Sequence, residues 1–238
     1  MLGSVPDPSP VLEPFVADEL WTARVPLRFF GIQMGTRMTV VRLRDGGLWI
    51  HSPVRPTPEL CDALDRLGEP RVVVAPNFLH HLYVGDFVAR YPVPVYGSRR
   101  LPRKRPDLEF AGVLGDEPEA AWAGQIDQAA LGGDGMFDEV AFLHRATGTL
   151  VLTDLCQHAD ESWPPGSRLL ARMAGIFGQH RPPRDVKWLL GRHKAEVKRM
   201  VDTILSWDFD RMIVAHGALV PSGARAAFER AYAFVQGW

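Results

Sequence analysis

LWIHSPVRPTPELCDALDRLGEPRVVVAPNFLHH, residues 48–81, is the stretch that decides the fold. Leu48 to His51 is short and apolar, as a buried strand is. Ser52-Pro53 and Pro56 then break the chain, and Thr57 to Leu67 sets Leu60, Leu64 and Leu67 at helical spacing. Arg71 to Ala75 is a second continuous apolar run, stopped by Pro76. The stretch therefore spells one strand-helix-strand unit.

Working toward the N-terminus, Val25 to Gly31 and Met38 to Leu43 have strand composition, and Asp45-Gly46-Gly47 is a hairpin signal before Leu48. Residues 1–20, with Pro6, Pro8, Pro10 and Pro14, suit an extended surface arm, which leaves 21–238 as one domain. Toward the C-terminus, Leu82 to Tyr91 suggests a helix and Val93 to Gly97 a strand. Gln125 to Leu131, Glu139 to His144 and Leu150 to Asp154 form an expected β-meander, broken at Gly132-Gly133-Asp134-Gly135 and at Thr147-Gly148. Helices are expected over Arg168 to Phe177, Asp185 to Trp207 and Ala224 to Val235, with a strand at Arg211 to Ala215. The order suits a layered α/β sandwich with sheets inside and helices outside.

Composition narrows the function. The 238 residues carry 27 Lys plus Arg against 28 Asp plus Glu, a net charge of −1, so no overall basic field calls for nucleic acid or an anionic membrane. No apolar run approaches the roughly 18 residues of a membrane span, and the N-terminus lacks the pattern of a signal peptide. Two cysteines, Cys61 and Cys156, are too few for a disulfide framework, which suits a reducing cytoplasm. Phosphate-cradling glycine motifs and a Gly-x-Ser-x-Gly elbow are both missing.

What remains is a set of polar residues where apolar strands end: His80 and His81, Asp154, and His216. Imidazole and carboxylate converging from separate strand ends suit a borderline ion such as zinc, and three protein ligands leave a coordination position open. Each also has a plainer reading: a histidine pair in a Pro-Asn loop, Thr153-Asp154 as a helix cap, His216-Gly217 as a turn. His51 is expected to line the same cleft without ligating directly, and His158 either lies in a solvated loop or reaches the cleft behind the ligands. Arg99, Arg100, Arg103, Lys104 and Arg105 form a basic run that is either a solvated loop or a contact for an anionic ligand.

The motifs LWIHSP at 48–53, APNFLHH at 75–81, LVLTDL at 150–155 and WDFDRMIVAHG at 207–217 resemble, in order, those of the metallo-β-lactamase fold superfamily, in a branch known as a domain of unknown function. The resemblance implies a four-layer αββα sandwich. Against the family's His-x-His-x-Asp-His loop, Pro76 and Phe78 fill the first two histidine slots, His80 the aspartate slot and His81 the last histidine slot. The family's next histidine belongs near residues 132–137, and no histidine lies between His81 and His144. The resemblance thus implies that the first metal site is lost and a mononuclear second site survives at His81, Asp154 and His216, with His80 as a fourth ligand. It also implies hydrolysis of an ester, amide or phosphoester, with Asp154 both ligating and orienting water. Zinc is the expected ion, with iron or manganese as alternatives, and a small molecule is the expected partner. The competing reading is an inactive binding protein on the same scaffold with little or no metal.

Overall fold

The computed structural model describes residues 10–29, 31–131 and 137–238. Residues 1–9 of the Pro-rich arm and the glycine turn at 132–135 lie outside them. In chain order the elements begin with β1 (Leu12–Val16), β2 (Leu20–Val25), β3 (Arg28–Phe29), β4 (Ile32–Gln33), β5 (Thr36–Arg42) and β6 (Leu48–His51). They continue with α1 (Pro58–Leu67), β7 (Pro70–Ala75), α2 (Val84–Arg90), β8 (Val95–Gly97), α3 (Leu101–Lys104) and β9 (Gly112–Val113). The second half holds β10 (Ile126–Leu131), β11 (Glu139–His144), β12 (Thr149–Leu152), α4 (Pro165–Ala174), α5 (Arg184–Leu190), α6 (Lys194–Ser206), β13 (Arg211–Val214), α7 (Ala224–Tyr232) and a final 3-10 turn, Ala233–Gly237.

Seven strands form one sheet in the order β1-β2-β5-β6-β7-β8-β9, and four form a second in the order β10-β11-β12-β13. Alternate side chains of each strand enter different apolar clusters, which is why these strands are apolar throughout rather than amphipathic. Val73 and Ala75 of β7 pack outward with Leu60 and Leu64 of α1. Val72 and Val74 pack inward with Trp49, Phe142, Val151 and Ile213, between the sheets. On the far side, Leu150 and Leu152 of β12 and Met212 and Val214 of β13 meet Val197, Met200, Val201 and Ile204 of α6 and Phe228 of α7. Helix, sheet, sheet, helix is the expected four-layer order.

Three expectations change. Part of the arm is built into the first sheet: β1 pairs antiparallel with β2, and its register shifts at Pro14, a residue an edge strand tolerates because it need not donate on both sides. The strand expected over Val25 to Gly31 lies earlier, at Leu20–Val25, because Pro26 ends the ladder, and a separate β3-β4 hairpin follows. The helix expected over Asp185 to Trp207 is two, since α5 closes at Gly191 and α6 opens after His193.

Candidate metal centre

β6 and β7 run parallel, as do β12 and β13, so four strands end at one edge of the sandwich. The two sheets are tied there by a bridge between Asn77 and Glu139 and by the Val140 N–H donating to Pro76 O at 3.0 Å. Asn77 Oδ1 accepts the backbone N–H groups of Leu79 and His80, each at 2.8 Å. This tight turn directs consecutive residues apart, His80 inward and His81 toward α3.

His80, Asp154 and His216 meet at this edge. His80 Nε2 lies 3.2 Å from His216 Nε2 and 3.5 Å from Asp154 Oδ2, and His216 Nε2 lies 3.2 Å from Asp154 Oδ1. A tetrahedral ion with bonds of about 2.0–2.1 Å sets its ligand atoms roughly 3.3–3.4 Å apart, so the separations suit one ion. Proton placement suits it as well. His216 Nδ1 donates to Gly35 O at 2.6 Å, which leaves Nε2, the nitrogen facing His80 and Asp154, as the atom available to a metal ion. His80 Nδ1 lies 2.7 Å from Ser52 Oγ, a hydroxyl able to accept the same kind of bond. Two imidazole lone pairs and a carboxylate are a cation-binding set.

The site is nearly closed, with His80, Asp154 and His216 exposed by 8%, 5% and 3%. Burial alone raises a carboxyl pKa, but His80 and His216 hold that of Asp154 well below the usual range. Burial pushes His80 below the usual histidine value, with Asp154 opposing. Both carboxylate oxygens have further amide donors, Asn77 Nδ2 to Oδ2 at 2.8 Å and Gln157 Nε2 to Oδ1 at 3.0 Å.

Beneath Asp154 lies Glu139, fully buried at the start of β11. Its Oε1 accepts Thr153 N–H at 2.7 Å, and its Oε2 accepts the N–H groups of Asp154 and Leu155 at 2.8 and 3.0 Å and Asn77 Nδ2 at 3.2 Å. Glu139 and Asn77 therefore fix the 77–81 loop and the 153–155 turn as one unit. Burial, then repulsion from Asp154, raises the Glu139 pKa to about 8. Behind His216, the buried Arg37 guanidinium donates to Val214 O and, at 3.0 Å, to Gly217 O, clamping the turn from both sides. Gly217 has φ +111, and a Cβ there would meet His158 O at 1.7 Å, so only glycine fits. Ser52 also sits at positive φ, +51, a strained backbone that holds its hydroxyl against His80.

The structure thus brings together His80, Asp154 and His216, and leaves His81 outside. His81 Nδ1 accepts a hydrogen bond from Arg105 Nη1 at 3.0 Å, and burial with Lys104 and Arg105 lowers its pKa to about 4. Of the two neighbours expected as ligands, His80 joins the cluster and His81 does not, because the Asn77 turn points the earlier histidine inward. His51 stacks on Trp49 at 5.3 Å and meets Phe142 edge-on at 5.5 Å, with neither ring nitrogen hydrogen-bonded. His158 stacks on His180 at 4.4 Å beside the His216 turn, to which it is joined by its N–H donating to His216 O at 3.0 Å. Sequence reasoning missed Asn77, Glu139, Arg37 and Ser52; the available signal was a charged residue opening an otherwise apolar strand, as at Glu139.

A family described as "Domain of unknown function (DUF4336)" matches residues 17–187. No curated protein sequence matches the chain. Among solved structures, DIM-1 metallo-β-lactamase exposed to ceftazidime superposes with a TM-score of 0.67 at 15% identity over 97% of this chain and 98% of its own. A metallo-β-lactamase from Pontibacter korlensis gives 0.64 at 14% identity over 96% and 100%. The metal-soaked Flv1 flavodiiron core from Synechocystis sp. PCC6803 gives 0.62 at 13% identity, covering 95% of this chain and 61% of that one. The architecture is that of the metallo-β-lactamase fold.

Proposed function

The chain belongs to the DUF4336 family, and from that premise we propose that it is a metal-dependent hydrolase of an ester, amide or phosphoester, using one divalent ion at His80, Asp154 and His216. The observation that carries this reading is the convergence of two imidazole nitrogens and a carboxylate at 3.2–3.5 Å, each backed by its own hydrogen bonds. The nitrogen-rich set favours zinc, and iron is the alternative. Pro76 and Phe78, where the fold's relatives would place histidines, offer no ligand atoms, which supports a single ion. When bound, the ion supplies Lewis acidity, polarising a carbonyl or phosphoryl oxygen and lowering the pKa of water toward about 7. Asp154, held ionised, balances charge and accepts the hydrogen bond that orients water. Ser52 and Gly35 fix the two rings, and Glu139, Asn77 and Arg37 fix the turns that carry them. The buried free thiols of Cys61 and Cys156 support a cytoplasmic location.

A second reading, a metal-free binding protein, is favoured by the closeness of the same groups, since one proton shared between the rings and Asp154 also satisfies them. Turnover separates the two. Protein reconstituted with zinc, assayed against chromogenic esters, amides and phosphoesters, is expected to hydrolyse at least one class, and to lose that activity with chelator or with Asp154→Asn. Protein that retains no zinc and turns over none of the three classes would favour the binding protein.

A further inference from the structure

The apolar residues of α4 and α5 are placed the wrong way round for helices that meet only water. α4 buries its small Ser167 and Ala171 and turns Leu169 and Met173 outward, 60% and 55% exposed. Trp188 of α5 is 61% exposed. A surface helix of a globular protein does the reverse, with its long apolar side chains toward the core. The two helices are joined end to side. Gly175 closes α4 at φ +81, the Arg184 side chain lies against it, and Arg184 and Trp188 stand one turn apart on α5. Met173, Arg184, Trp188 and Arg192, which stacks on Trp188 at 5.0 Å, therefore follow one another along the surface.

The same segment is basic, which the overall charge of −1 conceals. From Asp160 to Glu196 there are seven Lys plus Arg and four Asp plus Glu, leaving 20 against 24 in the rest of the chain. Glu161 answers Arg168 and, at 3.7 Å, Arg172. Asp160 accepts from Ser162 and faces His158. Arg181, Arg184, Lys187, Arg192 and Lys194 have no carboxylate partner among the described residues. Arg181 donates to Gly175 O, and Lys187 and Lys194 lie over the rings of Phe234 and Trp238. The neighbours do not redress the balance: the β3-β4 hairpin, which packs on α4, brings Arg28 and no acid, and the 3-10 turn under Lys187 brings no charge. With all four acids of the segment counted in full, a surplus of three positive charges remains.

Exposed tryptophan and aliphatic side chains set among cations suit the headgroup region of an anionic bilayer, where the apolar parts bury in the interface and the cations meet phosphates. The residues stand on outer helix faces rather than in a groove for a peptide, and Trp188 is the single exposed ring of the segment, where nucleic-acid bases would need a series. We propose that the outer face of α4 and α5 docks peripherally on an anionic lipid bilayer. The inference is independent of the metal reading.

Co-sedimentation of the full chain with vesicles tests it. Vesicles of phosphatidylcholine with about 40% phosphatidylglycerol should bind the protein about tenfold more tightly than phosphatidylcholine alone, and raising sodium chloride from about 50 to about 300 mM should release most of it. Arg184→Glu and Lys187→Glu are each expected to weaken binding about tenfold, as is Trp188→Ser, all at exposed positions where the far-ultraviolet circular dichroism should not change. Arg66→Glu, exposed on α1 against the other sheet, is the control for net charge and should bind as the wild type does. Equal sedimentation with both kinds of vesicle, sedimentation with neither, or binding that all three variants leave unchanged overturns the proposal. Binding to polyuridylate without binding to vesicles overturns it too, and assigns the face to RNA.

Discussion

The two ends of the β12-β13 pair are built from similar residue types and do opposite things. At the end where the strands begin, Asp127, Arg145, Thr147, Asp210 and Arg211 line an open depression. Its charges are mutually satisfied: Arg145 holds Asp127 at 2.6 and 2.7 Å, and Arg211 donates to Thr147 O at 2.8 Å. At the end where the strands finish, His80, Asp154 and His216 are buried with two imidazole nitrogens and a carboxylate within 3.2–3.5 Å of one another. Concavity and the metal-ligating cluster thus lie at opposite ends. What marks a site is polar groups brought together, buried and left in want of a cation, at the carboxyl ends of parallel strands.

The contrast can be broken most severely by removing a ligand. His80→Ala or His216→Ala should reduce bound zinc from about one equivalent to near none while the far-ultraviolet circular dichroism is unchanged, because both residues lie in turns. Next in size is Glu139→Gln. It replaces an acceptor oxygen with a donor beside three backbone N–H groups and Asn77, so zinc affinity should fall about 10–100-fold in a chelator competition. The same variant should lose about 1–3 kcal/mol in urea unfolding.

How far the sequence discloses this contrast depends on distance along the chain. The alternation of Val72 to Ala75 and of Leu150 to Leu152 between two cores reads as buried strands, and strand-end polar residues mark the correct edge. The choice between His80 and His81 is not legible, since it turns on the φ/ψ path set by Asn77 Oδ1. Nor are Glu139 and Arg37: the backbone partners of Glu139 lie 14 to 16 residues on, just past the neighbouring strand β12, and those of Arg37 about 180 residues away at the end of the other sheet, a register between sheets that no local pattern encodes. β1 was obscured because Pro14 reads as a breaker, while an edge strand has room for it.

A smaller effect tests the burial of His51 at the same edge. Burial, then His80, depresses its pKa from 6.5 to about 3, so the unfolded chain binds the proton more readily than the folded one. Its stabilising contribution is therefore complete above pH 6.5 and lost as pH falls toward 3. His51→Phe should flatten the decline of the unfolding midpoint between about pH 6.5 and pH 5, since Trp49 and Phe142 already make the surroundings apolar. An unaltered decline would show that His51 is not the group responsible. The smallest effect belongs to the opposite end, where Arg145→Ala removes an exposed ion pair with Asp127 and should leave zinc content and the unfolding midpoint as in the wild type.

The most direct measurement is metal content by inductively coupled plasma mass spectrometry on zinc-reconstituted wild type, His80→Ala, His81→Ala and Asp154→Ala. One equivalent in the wild type and in His81→Ala, with loss in the other two, is the expected result. Zinc retained by His80→Ala, or none held by the wild type, would contradict a metal centre at His80, Asp154 and His216.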